Sequence, residues 1–112
     1  MMEIRRGDIF WITNDYRTGS EQAGTRPALV VSNDTCNQHS PVIQMVPLTC
    51  ARKKPLPVHI RVEVDGRSCT VLCEQISSVS KERLLSYKAH LGERDMRSVE
   101  RAMRIQLGME GA

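Results

Sequence analysis

Short segments of alternating hydrophobic and polar residues recur along this chain, and such alternation is typical of half-buried β-strands. The alternation is cleanest over residues 58–64, which predicts a strand with one face in water. Asp65-Gly66 follows directly and is typical of a tight hairpin turn, so residues 68–79 are expected to return as the partner strand or strands. Further strands are predicted over residues 8–13, 27–32 and 42–49.

Helical spacing of apolar residues appears only late in the chain. Residues 93–107 carry this spacing, and Gly108 is expected to end the helix. The apolar residues at that spacing are Met96, Val99, Met103 and Leu107. Ser80 is expected to cap a shorter helix that carries Leu84 and Leu85.

The remaining segments predict loops within a single domain that spans residues 1–112. Residues 14–24 contain almost no apolar side chain, residues 33–41 fit a loop or a single helical turn, and residues 51–57 fit a basic, proline-containing loop. Because the helices come after most of the strands, the pattern indicates an α+β fold, mostly β, built as a small barrel or sandwich.

The chain is mildly basic, with 16 Lys and Arg against 13 Asp and Glu and a net charge of +3. This charge permits contact with phosphates without demanding it, so a nucleic-acid site would have to be a local feature. No signal-peptide core follows the N-terminus, and no apolar run is long enough to span a bilayer. We therefore expect a cytoplasmic protein with no membrane partner.

The four cysteines are Cys36, Cys50, Cys69 and Cys73. In a reducing compartment we expect free thiols, buried as small apolar side chains. Cys69 and Cys73 are four residues apart and are expected on one face of a strand. No cysteine or histidine has zinc-finger spacing, so no metal site is expected.

Several motifs occur in a fixed order along the chain. They are Arg6-Gly7-Asp8-Ile9-Phe10, residues 19–27 (GSEQAGTRP), residues 30–34 (VVSND), residues 46–49 (VPLT), residues 72–76 (LCEQI) and the closing Leu107-Gly108. An isolated Arg-Gly-Asp would mean nothing, but Gly-Ser-Glu-Gln followed by Arg-Pro and then Asn-Asp is a specific combination. In this combination the chain resembles the MazF/PemK family of toxin endoribonucleases along nearly its whole length.

The resemblance implies an SH3-like barrel with short helices and a C-terminal helix, acting as a homodimer without a cofactor. It implies cleavage of single-stranded RNA at a short sequence, without a metal, to leave a 2′,3′-cyclic phosphate and a 5′-hydroxyl. It also implies a cognate antitoxin protein that blocks the active surface. By motif, Arg26 and Thr49 match the catalytic pair, and Ser20, Glu21 and Gln75 match positions that help to hold RNA.

The chemistry of such a cleavage suits these residue types. The fork of Arg26 can grip two phosphate oxygens and stabilise the charge that builds there, and Thr49 can donate its hydroxyl to the same phosphate. Arginine stays protonated at ordinary pH, which suits an acid better than a base. Glu21 is therefore the candidate general base, while His39 and His59 are chemical alternatives that lie outside the family motif.

Other side chains are candidates for RNA contacts outside the reaction centre. Arg52, Lys53 and Lys54 form a basic run that would touch the RNA backbone next to a nuclease site, although such runs are usually only solvated. Tyr16, in a predicted loop, is a better candidate for stacking a base than Phe10 or Trp11, which are neighbours on a strand.

Alternatives remain open at this level. Arg26 also fits a salt bridge with a carboxylate such as Glu21, and Thr49 also fits an ordinary strand position. A CcdB-like toxin shares the architecture and poisons a protein target such as gyrase by binding alone. Such a toxin would not need the pair Arg26 and Thr49.

Overall fold

The elements of this fold are those of a computed structural model that describes residues 3–13, 24–51 and 55–111. Within those ranges the strands are β1 (Asp8–Thr13), β2 (Thr25–Val30), β3 (Val42–Thr49), β4 (His59–Val64), β5 (Arg67–Leu72), β6 (Ser77–Ser80) and β7 (Leu84–His90). The α-helices in the same ranges are α1 (Asp34–His39) and α2 (Glu93–Gln106), and short 3-10 turns occupy Cys73–Gln75 and Lys81–Arg83. The expected α+β fold, mostly β, is confirmed.

The strands form one curled antiparallel sheet in the order β4-β5-β3-β2-β1-β7, with β6 also paired to β3. β3 is the strand that turns the sheet, because different parts of it have different neighbours. Met45, Val46 and Pro47 pair with β2, whereas Leu48 and Thr49 pair with β5. The end of β3 therefore lies where the two halves of the sheet meet.

The central strands are buried on both faces, which explains why they read as nearly continuous apolar runs. Ile9 and Val46 belong to the core that α2 covers, while their neighbours Phe10 and Met45 belong to a second core on the other side of the sheet. Successive side chains of a strand point to opposite faces, so each core takes alternate residues.

The C-terminal helix and the hairpin lie where the sequence predicts them. Met96 and Val99 of α2 are buried, and Gly108 ends the helix at φ +76°, although Leu107 is exposed rather than packed in the core. At the hairpin between β4 and β5, Asp65 and Gly66 have φ values of +52° and +79°. Left-handed residues at both central positions give the turn that matches the twist of paired strands.

The helix predicted after Ser80 is wrong in part. Ser80 does cap a turn, since its hydroxyl accepts the backbone N–H of Glu82 at 3.3 Å, but that turn is the short segment Lys81–Arg83. Leu84 and Leu85 belong to β7 instead, which pairs with β1. Residues 84–90 form a strand because they pair with the free edge of β1. No local sequence pattern in these residues indicates that pairing. None of the described helices has the length and apolarity needed to cross a membrane.

The expectation that all four cysteines are free thiols is wrong, because Cys50 and Cys69 form a disulfide. Thr49 lies opposite Thr70 in the pairing of β3 with β5, so the residues that follow and precede them face each other. Cys36 and Cys73 are free, and Cys73 lies beyond the end of β5 rather than on a strand face with Cys69. Burial, together with the nearby charge of Glu74, raises the pKa of Cys73 to about 11.

Candidate active site

Arg26 and Thr49, the two candidate catalytic residues, line the same open cleft of about 440 Å³. The cleft lies where β1, β2 and β7 approach the end of β3 and the β4–β5 hairpin. Its other lining residues include Trp11, Cys50, Arg67 and Lys88. None of the described lining residues is acidic.

Arg26 is held by strand pairing on β2, where it lies opposite Ile12 of β1. The next residue, Pro27, lies opposite Trp11, and its ring fixes the backbone beside the arginine. Arg26 is half-buried, and no carboxylate in residues 3–13, 24–51 or 55–111 forms an ion pair with it. With respect to these residues, its guanidinium is available to a ligand in the cleft.

Thr49 is the last residue of β3, and its hydroxyl is oriented by a local contact. The backbone N–H of Ala51 donates to Thr49 Oγ1 at 3.2 Å. Because this bond uses the oxygen as an acceptor, the hydroxyl hydrogen remains available for donation. The disulfide of Cys50 to Cys69 follows immediately and ties this end of β3 to β5. The hydroxyl therefore sits on a fixed backbone and can donate to an anion in the cleft.

Gln75, a candidate RNA contact, is exposed on the short turn Cys73–Gln75 and is not among the residues that line the cleft. Its neighbour Glu74 is engaged by His59, with 3.0 Å between Nε2 and Oε2. Burial acts to raise the pKa of Glu74, but the hydrogen bond from His59 and smaller favourable contacts outweigh it, so that pKa lies below its ordinary value.

The two histidines considered as alternative bases are both outside the cleft. His59 accepts the backbone N–H of Leu56 at Nδ1 (3.1 Å), so its other nitrogen carries the proton that it shares with Glu74. His39 is the last residue of α1 and lines a different surface depression. Neither ring is positioned to take a proton from a substrate held by Arg26 and Thr49.

The cleft also contains residues that the sequence did not single out. Lys88 lies with Nζ 4.7 Å from the centre of the Trp11 ring and 3.0 Å from Asp65 Oδ2. Lys88 was missed because it falls just after a segment predicted to be helical, and Arg67 because it follows a turn. Only the spatial approach of β7 to the hairpin brings these residues together.

The remaining predicted site residues fall outside the part of the chain that the structure describes. They are Tyr16, Ser20, Glu21, Arg52, Lys53 and Lys54. Phe10, considered for base stacking, is fully buried, so its ring cannot stack on an RNA base. Among the described residues no group of three His, Cys, Asp or Glu side chains is arranged to hold a metal ion.

Known protein families and curated proteins include matches to nearly the whole chain. Residues 5–107 match the family described as PemK-like, MazF-like toxin of type II toxin-antitoxin system. The chain is 34% identical over 113 residues to Endoribonuclease EndoA of Bacillus subtilis, covering 96% of this chain and 97% of that protein.

Solved structures show the same fold. The structure of MazE-MazF from Deinococcus radiodurans superposes with a TM-score of 0.85 at 26% identity, over 98% of this chain and 100% of the other. The structure of MazF from the same organism gives 0.81 at 27% identity, over 97% and 100% of the two chains. The family match and the full-length relative together show that this chain belongs to the PemK-like, MazF-like toxins of type II toxin–antitoxin systems.

Proposed function

We propose that this toxin cleaves single-stranded RNA without a metal ion and that Arg26 and Thr49 are its catalytic pair. Endoribonuclease activity follows from the family and from the relative EndoA, which is named for it. The observation that carries the assignment of residues is their meeting in one cleft, although 23 positions (49 − 26) separate them in the sequence. This cleft also lacks acidic lining residues among those described, which suits a polyanion.

The reaction uses a nucleophile that the substrate already contains. The ribose 2′-oxygen attacks the adjacent phosphorus and gives its proton to a base, the bond from phosphorus to the 5′-oxygen breaks, and that oxygen takes up a proton. The products are a 2′,3′-cyclic phosphate and a 5′-hydroxyl. Because no water molecule has to be activated, the chemistry does not require a divalent ion.

Arg26 and Thr49 have complementary tasks in this step. The planar guanidinium of Arg26 donates to two non-bridging phosphate oxygens, where negative charge grows as the attack proceeds. Thr49 donates its remaining hydroxyl hydrogen to the same phosphate. Donors fixed in advance at such a position typically contribute about 100- to 1000-fold to the rate.

The choice of a candidate proton acceptor rests on excluding two histidines and on charge. His39 and His59 do not line the cleft, and His59 is already bonded to Glu74. Glu21, which lies outside the described residues, remains the candidate base. A carboxylate is a natural acceptor for the 2′-hydroxyl proton when an arginine stabilises the opposite side of the phosphate.

The partners belong to the same proposal. MazF of Deinococcus radiodurans is seen with MazE, and we expect this chain to have its own antitoxin that covers the cleft. We also expect it to act as a homodimer in the cytoplasm, where messenger RNA is translated. A CcdB-like toxin that only binds a protein such as gyrase is the alternative, and the family match favours the endoribonuclease.

The test is cleavage of a long single-stranded RNA in EDTA, with the ends mapped. Wild-type protein should make discrete cuts, and Arg26→Ala should lower the rate by at least about 100-fold. Arg97→Ala removes the same charge from the exposed face of α2 and should cut like the wild type.

Each failure has a separate meaning. Loss of wild-type cutting in EDTA would exclude the metal-free mechanism. Cuts that persist in Arg26→Ala would remove Arg26 from the catalytic pair. No cutting by a folded protein free of antitoxin, with toxicity that survives Arg26→Ala, would favour the protein-binding alternative.

A further inference from the structure

Lys88 holds a special position in β7, because it is the extra residue of a β-bulge. Ile9 pairs with Ala89 and Phe10 pairs with Tyr87, so Lys88 has no partner on β1. A bulge redirects the side chain of the extra residue, and bulges are common beside functional sites. Here the redirected side chain enters the cleft.

Two contacts hold the ammonium group of Lys88 in place. Its Nζ lies 3.0 Å from Asp65 Oδ2 and 4.7 Å from the centre of the Trp11 ring. Only 18% of the side-chain surface is exposed, compared with 54% for its partner Asp65. A lysine usually keeps its head in water with high rotamer freedom, and an exposed ion pair adds little stability. These contacts therefore fix the position of a cation and add little to the stability of the fold.

Arg67 supplies a second cation to the same cleft. It is the first residue of β5, directly after the hairpin turn, and its exposed side chain lines the cleft. No carboxylate in residues 3–13, 24–51 or 55–111 forms an ion pair with it. With Arg26, three cationic side chains line a cleft whose described lining is free of acidic residues.

We propose that Lys88 and Arg67 bind the phosphate of the nucleotide next to the scissile one, while Arg26 and Thr49 hold the scissile phosphate. This inference rests on the proposed function and extends it. RNA carries a phosphate at every nucleotide, so a strand with one phosphate at Arg26 has a second phosphate one nucleotide away for the other cations of the cleft to bind.

This assignment gives Trp11 a role other than stacking on an RNA base. The ammonium of Lys88 lies over its ring, so Trp11 supports the cation and does not present that face to a base. A phosphate contact reads no base, and its effect is to set the register of the strand on the enzyme. The Lys88–Arg67 position therefore determines how tightly RNA is held, and it leaves the choice of cleavage sequence to other residues.

The experiment measures binding of an RNA oligonucleotide that spans the mapped cut site and has a 2′-deoxy sugar at the cleaved nucleotide, which prevents reaction. Fluorescence anisotropy across a salt series gives both affinity and salt slope. Lys88→Met should weaken binding about tenfold, as expected for one charged hydrogen bond, and lower the slope by roughly 0.7. Arg67→Met should do the same, and it alters a side chain with no described ion pair. Lys81→Met, which removes the same charge outside the cleft, should change neither.

A change in the substrate provides the matched test. A neutral methylphosphonate at the linkage next to the scissile one should weaken wild-type binding about 100-fold, because it removes the contacts of both Lys88 and Arg67. The same change should weaken binding by Lys88→Met only about tenfold, because the contact of Arg67 alone remains to be lost. In cleavage, Lys88→Met should raise KM more than it lowers kcat.

The inference is overturned if Lys88→Met and Arg67→Met bind like Lys81→Met, or if the methylphosphonate penalty is undiminished in Lys88→Met at every neighbouring linkage. A lower melting temperature of Lys88→Met with an unchanged salt slope would show that Lys88 only stabilises the fold. If wild-type protein neither binds nor cuts RNA, the proposed function fails as well, so the two failures are distinguishable.

Discussion

Charged groups are arranged differently in the cleft and at the opposite part of the sheet edge. We call that opposite part the anchored end, and it consists of Arg6, Asp8, Asp34, His90 and Glu100. At the anchored end each charge has a partner within the protein. Arg6 donates to Glu100 Oε2 at 2.6 Å, Asp34 accepts the backbone N–H of Arg6 at 2.7 Å, and Asp8 lies 2.7 Å from His90 Nδ1. The bond from Arg6 holds the pKa of Asp34 below its ordinary value.

In the cleft, by contrast, the described polar groups remain available apart from Lys88, which pairs with the exposed Asp65. Arg26 and Arg67 have no carboxylate partner among the described residues, and the Thr49 hydroxyl keeps its hydrogen. The backbone there is held by strand pairing and by the Cys50–Cys69 disulfide. The comparison shows that the charges of the anchored end are used within the fold, whereas the backbone of the cleft is held by contacts that leave Arg26 and Arg67 free for a ligand.

Reduction of the disulfide should give the largest change in stability. The bond closes a loop of 19 residues, and a loop of that size is worth up to about 3 kcal/mol in the free energy of unfolding. Urea denaturation with and without a phosphine reductant measures it, and Cys36→Ser should show the same loss. An equal response to the reductant in a Cys50→Ser, Cys69→Ser double variant would show that the effect does not come from this bond.

Arg26→Lys should separate charge from geometry in the cleft. A lysine keeps the positive charge but loses the two-pronged grip on phosphate, so kcat should fall about 100-fold. The melting temperature should stay unchanged, because Arg26 has no described ion pair. A parallel loss of stability and activity would place Arg26 with the structural charges of the anchored end.

Arg6→Met should give the reverse result. It removes the bond to Glu100 and a second bond to the carbonyl of Val31 at 3.1 Å, both partly buried. The free energy of unfolding should fall by about 1 to 2 kcal/mol, with kcat for RNA unchanged in the folded fraction. Arg5→Met removes only an exposed pair with Glu3 and should cost less than about 0.5 kcal/mol. Loss of cleavage at full stability would contradict the distinction between the two ends.

Glu74→Gln should produce the smallest effect, visible mainly in its pH dependence. Because the pKa of Glu74 is lower in the folded state, its ionised form adds stability above about pH 4.5, and that stability is lost as the pH falls through the folded pKa. The variant should be less stable by under about 1 kcal/mol at pH 7, and the difference should vanish in acid. Glu82→Gln, on an exposed turn, is the control. A difference that is constant with pH would point to packing rather than charge.

The parts of the fold that local chemistry decides could be predicted from the sequence. The hairpin at Asp65-Gly66, the bounds of β3 and the C-terminal stop at Gly108 all follow from neighbouring residues. β7 and the Cys50–Cys69 bond could not be predicted, because both depend on which distant strand lies alongside.

The candidate site also contains residues that the sequence predicts and residues that it does not. Arg26 and Thr49 came from a motif that resembles a family, not from any periodicity, and their residue types alone fit ordinary strand positions. Lys88 carries no local signal, since its place in the cleft depends on a bulge opposite β1 and on Asp65 in another part of the sheet. A search for cations alone would not have separated it from the many solvated lysines and arginines of this chain.

The pairing of β1 with β7 affects when the cleft can form during synthesis of the chain. β1 is synthesised before its partner strand Leu84–His90, which is the last of the described strands to be made. Contacts so distant in sequence form late, and a nascent chain can fold only the elements already made. The wall of the cleft that holds Lys88 is therefore missing until translation has passed residue 90.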